Sequence, residues 1–318
     1  MTENASLIKQ QIERQRAALA NLLAADMRAL ADELAPWMHN RERLEQLLRE
    51  RIASAQYSKY LWVLDDKARQ ITATVTRKKV KREQYGRDRA ARPYMQPALQ
   101  GEGFYLSEAY VSRHRKRPSL TAVQVIRGAD GRRLGWLGAD FDLRKLPYTG
   151  GLDFGKKAWR QMKGDPAIRG GLFAQQRVVS AMDERIDEVL TQIEELIVSH
   201  GVFHAKLHFS SSRATVWLVD DPYDYQLLGV DELIDPSLCL AFPKRPWFER
   251  AQVPPKGVRK VLRQFRKLRF ADETIYLRAA SLNTVNGMVG LNFSCDGSHY
   301  LPWEEFLDKG MHFWFGVN

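Results

Sequence analysis

Over positions 5–35 the apolar residues Ile8, Ile12, Leu19, Leu23, Met27, Leu30 and Leu34 recur at helical steps, with Lys, Arg, Glu and Gln between them. That spacing predicts one long amphipathic helix. Pro36 ends or kinks it, and Asn40 is placed to cap a second helix carrying Leu44, Leu47, Leu48 and Ile52. An apolar stripe of this length needs cover. Two covers are open: the protein's own sheet, or the same stripe of a second copy in a homodimer seam.

From Tyr60 the period changes to two, or to short apolar runs, at positions 60–64, 71–75, 119–126 and 134–141, which predicts four strands. Asp65, Asp66 and Lys67 form a turn after the first, and the Gly128-Ala-Asp-Gly131 run reads as a hairpin between the last two. Between the second and third strands lies a long polar, basic and aromatic insert, 76–116; connections of that length inside a compact domain are usually functional. Positions 148–180 hold Gly150, Gly151, Gly155, Gly164, Pro166, Gly170 and Gly171, too many breakers for regular structure, and a domain boundary is expected there. Helical spacing resumes from Met182 to Ile197 and stops at Gly201, followed by strand candidates at 205–209, 214–219, 274–279 and 287–293, with a helix at 256–268 between them. The fold class is α+β: an N-terminal helical segment 1–54, a sheet domain 55–147, a linker and connecting helix 148–200, and a second α+β domain 201–318.

Composition narrows this. At 318 residues and 44% hydrophobic content, two domains with real cores are expected. No window approaches a membrane span, and the N-terminus lacks the apolar core of a secretory signal, so a cytoplasmic location is expected. Cys239 and Cys295 form no Cys-x-x-Cys pair; both are expected reduced and mostly buried, without a disulfide or structural zinc. The net charge of +11 is concentrated at 77–92, 113–117 and 256–269. No DNA-reading motif surrounds these stretches, so solvated faces are the first reading and nucleic acid is not an expected partner. The competing reading is a nucleic-acid or anionic-surface binding protein that uses Lys256, Arg259, Lys260, Arg263, Arg266, Lys267 and Arg269 as an electrostatic face.

Catalytic chemistry finds little support. His204 and His208 stand four apart, but in a strand-like run that spacing separates the imidazoles by roughly 13 Å, so no metal site is expected. Ser210, Ser211 and Ser212 lack a nucleophile elbow, and Asp220, Asp221 and Asp224 read as an acidic turn. No cofactor is implied, and no constellation names an enzyme.

Four segments in order carry a resemblance: Gly86-Arg-Asp-Arg-Ala-Ala-Arg-Pro-Tyr94, Phe104-Tyr-Leu-Ser-Glu-Ala-Tyr110, Leu120-Thr-Ala-Val123 and Gly135-Trp-Leu-Gly-Ala-Asp-Phe-Asp-Leu143. Together they resemble the Cache (PDC) family of PAS-like sensor domains, over 55–147, under a third of the chain. The resemblance implies a curved antiparallel sheet with helices on one side and a pocket for a small organic molecule roofed by the long insert. It places Arg92 and Tyr94 on the patch that in many relatives grips a ligand carboxylate, and Asp140 on the aspartate of the closing strand. A guanidinium suits that task because its planar fork donates two parallel bonds. Arg92 could instead be a structural ion pair with Asp88 or Asp140.

Met95 stands where amine-binding relatives often carry a second aromatic, and Arg87 where they carry a tyrosine. These departures count against an amino acid, and the run Arg87, Arg89, Arg92 favours an anionic ligand. Tyr105, Ser107 and Tyr110 read as alternating along one strand and either line the pocket or are ordinary half-buried residues; Thr121 could supply a hydroxyl. The expectation is a bacterial signal-transduction protein, dimeric through its N-terminal helix, that binds a small carboxylate and relays its presence to an unidentified protein partner. No kinase, cyclic-nucleotide or helix-turn-helix output motif is present. For the C-terminal domain the expectation is a second PAS-like sensor or a dimerisation fold.

Overall fold

The computed structural model describes residues 3–55, 57–101, 103–112, 118–149, 176–295 and 297–315. The expected linker glycines from 150 to 171 and the basic run 113–117 lie outside them. The chain forms two compact units, one comprising Gln10–Gly151 and the other Leu152–Asn318 together with Met1–Lys9. The α+β class holds for both.

The first unit follows α1 (Glu3–Leu34) with α2 (Arg41–Ser54), β1 (Ser58–Asp65), β2 (Thr74–Val75), β3 (Val80–Lys81), α3 (Met95–Gln100), β4 (Phe104–Leu106), β5 (Tyr110–Val111), β6 (Pro118–Arg127) and β7 (Arg133–Asp142). Along α1 the stripe residues Leu19, Leu23, Met27 and Leu34 are buried within the single chain, leaving Leu22 exposed. Of the two covers the sequence leaves open, burial within the chain accounts for these four residues. The Asn40 side chain accepts from Arg43 N at 3.1 Å and starts α2, as its residue type predicts. Leu44, Leu47, Leu48 and Ile52 are buried where α2 packs against β1 and β2. Glu45 of α2 accepts from Ala73 N at 2.8 Å, fixing the helix to the backbone beside β2.

All strand pairings in this unit are antiparallel, in the order β3-β2-β1-β7-β6-β4, with β5 also on β6. The first long strand pairs with the last. The expected hairpin joins β6 to β7, with Gly131 at φ +77° supplying the left-handed residue the turn requires. The predicted strand at 71–75 shrinks to Thr74–Val75 because side chains take over the ladder upstream: Thr72 Oγ1 accepts from Val63 N at 3.0 Å.

The second unit contains α4 (Ala181–Glu184), α5 (Ile186–Ser199), β8 (Val202–His208), β9 (Arg213–Leu218), β10 (Asp221–Gly229), α6 (Val230–Leu233), α7 (Pro255–Arg269), β11 (Leu277–Asn283), β12 (Met288–Phe293), β13 (Ser298–Pro302), α8 (Trp303–Asp308) and α9 (Met311–Phe315). Its six-stranded antiparallel sheet has the order β10-β9-β8-β11-β12-β13, two three-stranded meanders joined edge to edge through β8 and β11. Here the first strand pairs with the fourth, so the sheet does not repeat the first unit's order.

Helices α5 and α7 pack on each other, on β8 and on β11, burying Val189, Ile193, Val258, Val261, Leu262 and Phe265. Arg269 of α7 is wholly buried against Asp183 of α4, with Nε and Nη2 donating to its two carboxylate oxygens at 2.8 and 2.7 Å and Nη1 donating to Leu277 O at 2.9 Å. Arg259 pairs with Glu194 and Arg266 with Asp187. The seven-cation face expected on this helix therefore loses three members to internal pairs. Cys239 is buried as expected, but Cys295 is exposed.

Candidate functional site

Strand parity builds the site. In β1, Tyr60, Trp62 and Leu64 share one face, and their partners across β7 are Asp140, Gly138 and Trp136. The same β7 residues face Thr121, Val123 and Val125 of β6, and Tyr105 lies opposite Val123. One sheet surface therefore carries three cross-strand rows, with Tyr60, Asp140 and Thr121 in the first and Trp62, Gly138, Val123 and Tyr105 in the second. The insert folds back over it. Tyr94, Met95 and Ala98 join Trp62, Leu64, Val123, Val125 and Trp136 in one buried cluster, with Tyr105 packed at its margin. Gly138 is required by close approach: a Cβ there would fall inside the Trp62 ring.

Arg89, not Arg87, is the arginine that enters this core. Its Nε and Nη2 donate to Gln70 Oε1 at 2.9 and 2.6 Å, its Nη1 donates to the Tyr94 hydroxyl at 2.9 Å, and its guanidinium sits 4.3 Å from the Trp62 ring centroid. Gln70 is locked in turn by donating to Thr72 O and Thr74 Oγ1 at 2.8 and 3.0 Å. Every partner of this buried cation is neutral. Arg87 is exposed and donates to Gln84 Oε1 at 2.8 Å, so its assignment to the site is corrected: its side chain faces water.

Arg92 is half-buried, and among the described residues its guanidinium has no hydrogen-bond or ion-pair partner. Neither Asp88 nor Asp140 takes it, which removes the structural ion-pair reading. Its charge nonetheless acts on both Tyr94 and Asp140.

Asp140 is half-buried at the middle of the first row. Thr121 Oγ1 donates to its Oδ1 at 2.8 Å, and the Tyr110 hydroxyl is 2.8 Å from the same Thr121 oxygen. Burial pushes the Asp140 carboxyl up from the usual carboxylate range, against the pull of Thr121 and of the cations Arg89, Lys59 and Arg92. Burial likewise raises the Tyr94 and Tyr110 hydroxyls, so both stay protonated donors. Lys59 is spent on Asp142 at 3.6 Å. Two guanidinium groups, Arg89 and Arg92, therefore act on one carboxylate, Asp140.

Tyr110 reaches this face although it stands three residues from Ser107, because the chain breaks between β4 and β5 and the break restores parity. Ser107 does not serve as a ligand contact: its hydroxyl donates to Glu108 O at 2.8 Å and accepts from Thr121 N at 2.9 Å, which uses it to hold the strands together. Tyr105 is a half-buried wall residue. The structure therefore brings together Arg92, Tyr94, Tyr105, Tyr110, Thr121 and Asp140, adds Arg89, Gln70 and Trp62, and removes Arg87 and Ser107. In the second unit, His204 stacks on Trp217 at 4.5 Å and His208 lies 3.2 Å from Thr215 Oγ1.

No family model and no curated protein matches the chain. Among solved structures, an extracellular ligand-binding receptor from Desulfohalobium retbaense aligns at TM-score 0.32 and 14% identity, over 44% of this chain and 25% of that one. The ligand-binding domain of a Pseudomonas fluorescens chemoreceptor in complex with L-alanine aligns at TM-score 0.33 and 16% identity, over 44% of this chain and 59% of that one. The ligand-binding domain of a Campylobacter jejuni chemoreceptor in complex with 4-methylisoleucine aligns at TM-score 0.31 and 15% identity, over 45% and 61%. The chain spans from a quarter to under two thirds of these chains' lengths. Likenesses at this level decide no family, and the reading of the site stands on its own geometry.

Proposed function

We propose that the first unit is a small-molecule sensor whose ligand is a small organic carboxylate bound between the Arg92 guanidinium and the Trp62–Tyr94 wall. One observation carries the reading: an excess of positive charge around Asp140, with an Arg92 guanidinium that no described residue pairs. A buried or half-buried cation without a counterion is costly, and a carboxylate guest supplies the missing charge with two parallel hydrogen bonds. Arg89, Thr121, Tyr110 and Asp140 supply the fixed polar groups, and Trp62, Tyr94 and Tyr105 the apolar wall. Binding shifts the balance between two arrangements of the flanking helices, which is the signal passed to a partner.

Titration calorimetry against a panel of small carboxylates is expected to find a binder, and Arg92→Ala is expected to weaken it at least tenfold, the order of a charge-assisted hydrogen bond. Affinity unchanged in the variant would remove Arg92 from the site and end this reading.

The open oxygen of Asp140 favours a second reading, in which the ligand also carries an ammonium group. The two differ in sign with pH. As pH falls through the raised Asp140 value, the carboxyl gains a proton and the site becomes more positive. A plain carboxylate that stays ionised then binds more tightly; a ligand whose ammonium rests on Asp140 binds more weakly. Asp140→Asn is expected to flatten either profile. A slope that survives the substitution would place the titrating group elsewhere.

A further inference from the structure

Helices α5 and α7 cover one face of the second unit's sheet. The registers place three rows on the other face. Tyr225, Trp217 and His204 are consecutive cross-strand partners in the first, with Asn283 beyond. Lys206 lies in the second row and Arg213 in the third, about 7 Å and 13 Å further along the strands. Tyr300, at the far edge of the Lys206 row, is 74% exposed and leans over Gly290, where a Cβ would meet its ring at 3.1 Å.

The aromatic row is built as a platform. The His204 and Trp217 rings stack at 4.5 Å with 17° between their planes, and Tyr225 follows 6.0 Å from Trp217. Burial and the neighbouring Lys206 hold His204 below its ordinary value, so at neutral pH it is an uncharged ring and the stack is not split by repulsion. No Asp or Glu occupies a strand position in the three rows, but the Glu232 carboxylate reaches the β10 end of the third, where its Oε2 accepts from Gly229 N at 2.6 Å, across from Arg213.

We infer that this face binds single-stranded nucleic acid, with a base stacked on Trp217 and backbone phosphates on Lys206 and Arg213. Flat rings beside the cations Lys206 and Arg213 match a base and its phosphates. The width of the face favours a strand over a free nucleotide: six strands spread it over roughly 24 Å, whereas a lone small ligand is normally walled in. The surface is separate from the basic side of α7, which lies behind the sheet.

The test uses the full chain with fluorescein-labelled single-stranded DNA and RNA 15-mers, read by fluorescence anisotropy. Binding is expected, with a logarithmic salt slope of about −1.4, as for two phosphate contacts on a single strand. Lys206→Ala with Arg213→Ala, and separately Trp217→Leu, are each expected to lower affinity tenfold or more, the scale of one lost stack. Tyr225→Leu, at an exposed edge position, gives a second reading of the stack should Trp217→Leu fail to fold. Lys260→Ala with Lys267→Ala on α7 is expected to change nothing. The inference is overturned if neither oligonucleotide binds, if the α7 variant and not the sheet variants loses binding, or if AMP competes as well as the 15-mers.

Discussion

Replacing Asp183 by alanine is expected to cost the second unit about 4 kcal/mol, the largest single loss in the chain. Arg269 and Asp183 are both fully buried, and Nη1 of the arginine also donates to Leu277 O at 2.9 Å and, at a longer 3.4 Å, to Ser210 Oγ, the first of which ties the end of α7 to β11. Asp183 also accepts from Ser180 N at 2.9 Å and thereby caps α4. Its removal leaves a guanidinium in the core with a single backbone acceptor at full strength and takes away the cap. Urea denaturation followed by tryptophan fluorescence measures the loss. A double variant, Asp183→Leu with Arg269→Met, is expected to recover most of it, because the damage comes from the unpaired charge and not from the absence of the pair. A single variant within about 1 kcal/mol of the parent would show that water reaches Arg269.

Gly138→Ala is the corresponding lesion in the first unit. The added methyl group falls inside the Trp62 ring, in a ten-residue strand held on both sides, so neither the backbone nor the indole can step aside cheaply. A loss of about 2–3 kcal/mol is expected, with carboxylate binding reduced more than tenfold because the displaced ring carries Arg89. Gly131→Ala makes the comparison. It meets no atom within 4 Å and pays only for its φ of +77°, so it should lose about 1 kcal/mol and keep its ligand. Equal loss of binding in both variants would mean that instability, not the position of Trp62, decides occupancy.

The long elements were legible because each buries one side. α1, α2, α5 and α7 show helical spacing, and β1, β6, β7, β8, β9 and β12 show runs or alternation, since a face against a core constrains residue type at a fixed period. Edge strands escape that constraint. β10 opens with Asp221, Pro222, Tyr223 and Asp224, all exposed, and a register shift follows before Gln226 turns inward. β13 likewise offers Ser298, His299 and Tyr300 to water. Both are held by backbone bonds on one side, which leave little trace in side-chain pattern, and proline is tolerated there.

The site divides the same way. Asp140, Thr121 and Tyr110 lie on strands, and parity brought them together. Between β3 and β4 the chain has no period, and choosing among Arg87, Arg89 and Arg92 required knowing that Gln70 would lie in reach of Arg89, nineteen residues upstream. A buried arginine held by a glutamine amide and an indole has no sequence signature; a tryptophan paired across a strand with glycine is the nearest hint, and it appears only once the register of β1 and β7 is known.

The peptide run that braces Arg89 also holds a helix. Gln70 grips the arginine, its amide nitrogen steadies Thr72 and Thr74, and the Ala73 amide between them is the donor that pins Glu45 of α2. Four residues of backbone therefore join the buried Arg89 guanidinium at one end to a helix fastened at the other. Under the proposed binding mode, a guest that shifts the Trp62–Tyr94 wall shifts Arg89 with it, and so pulls on the same stretch of chain that seats α2.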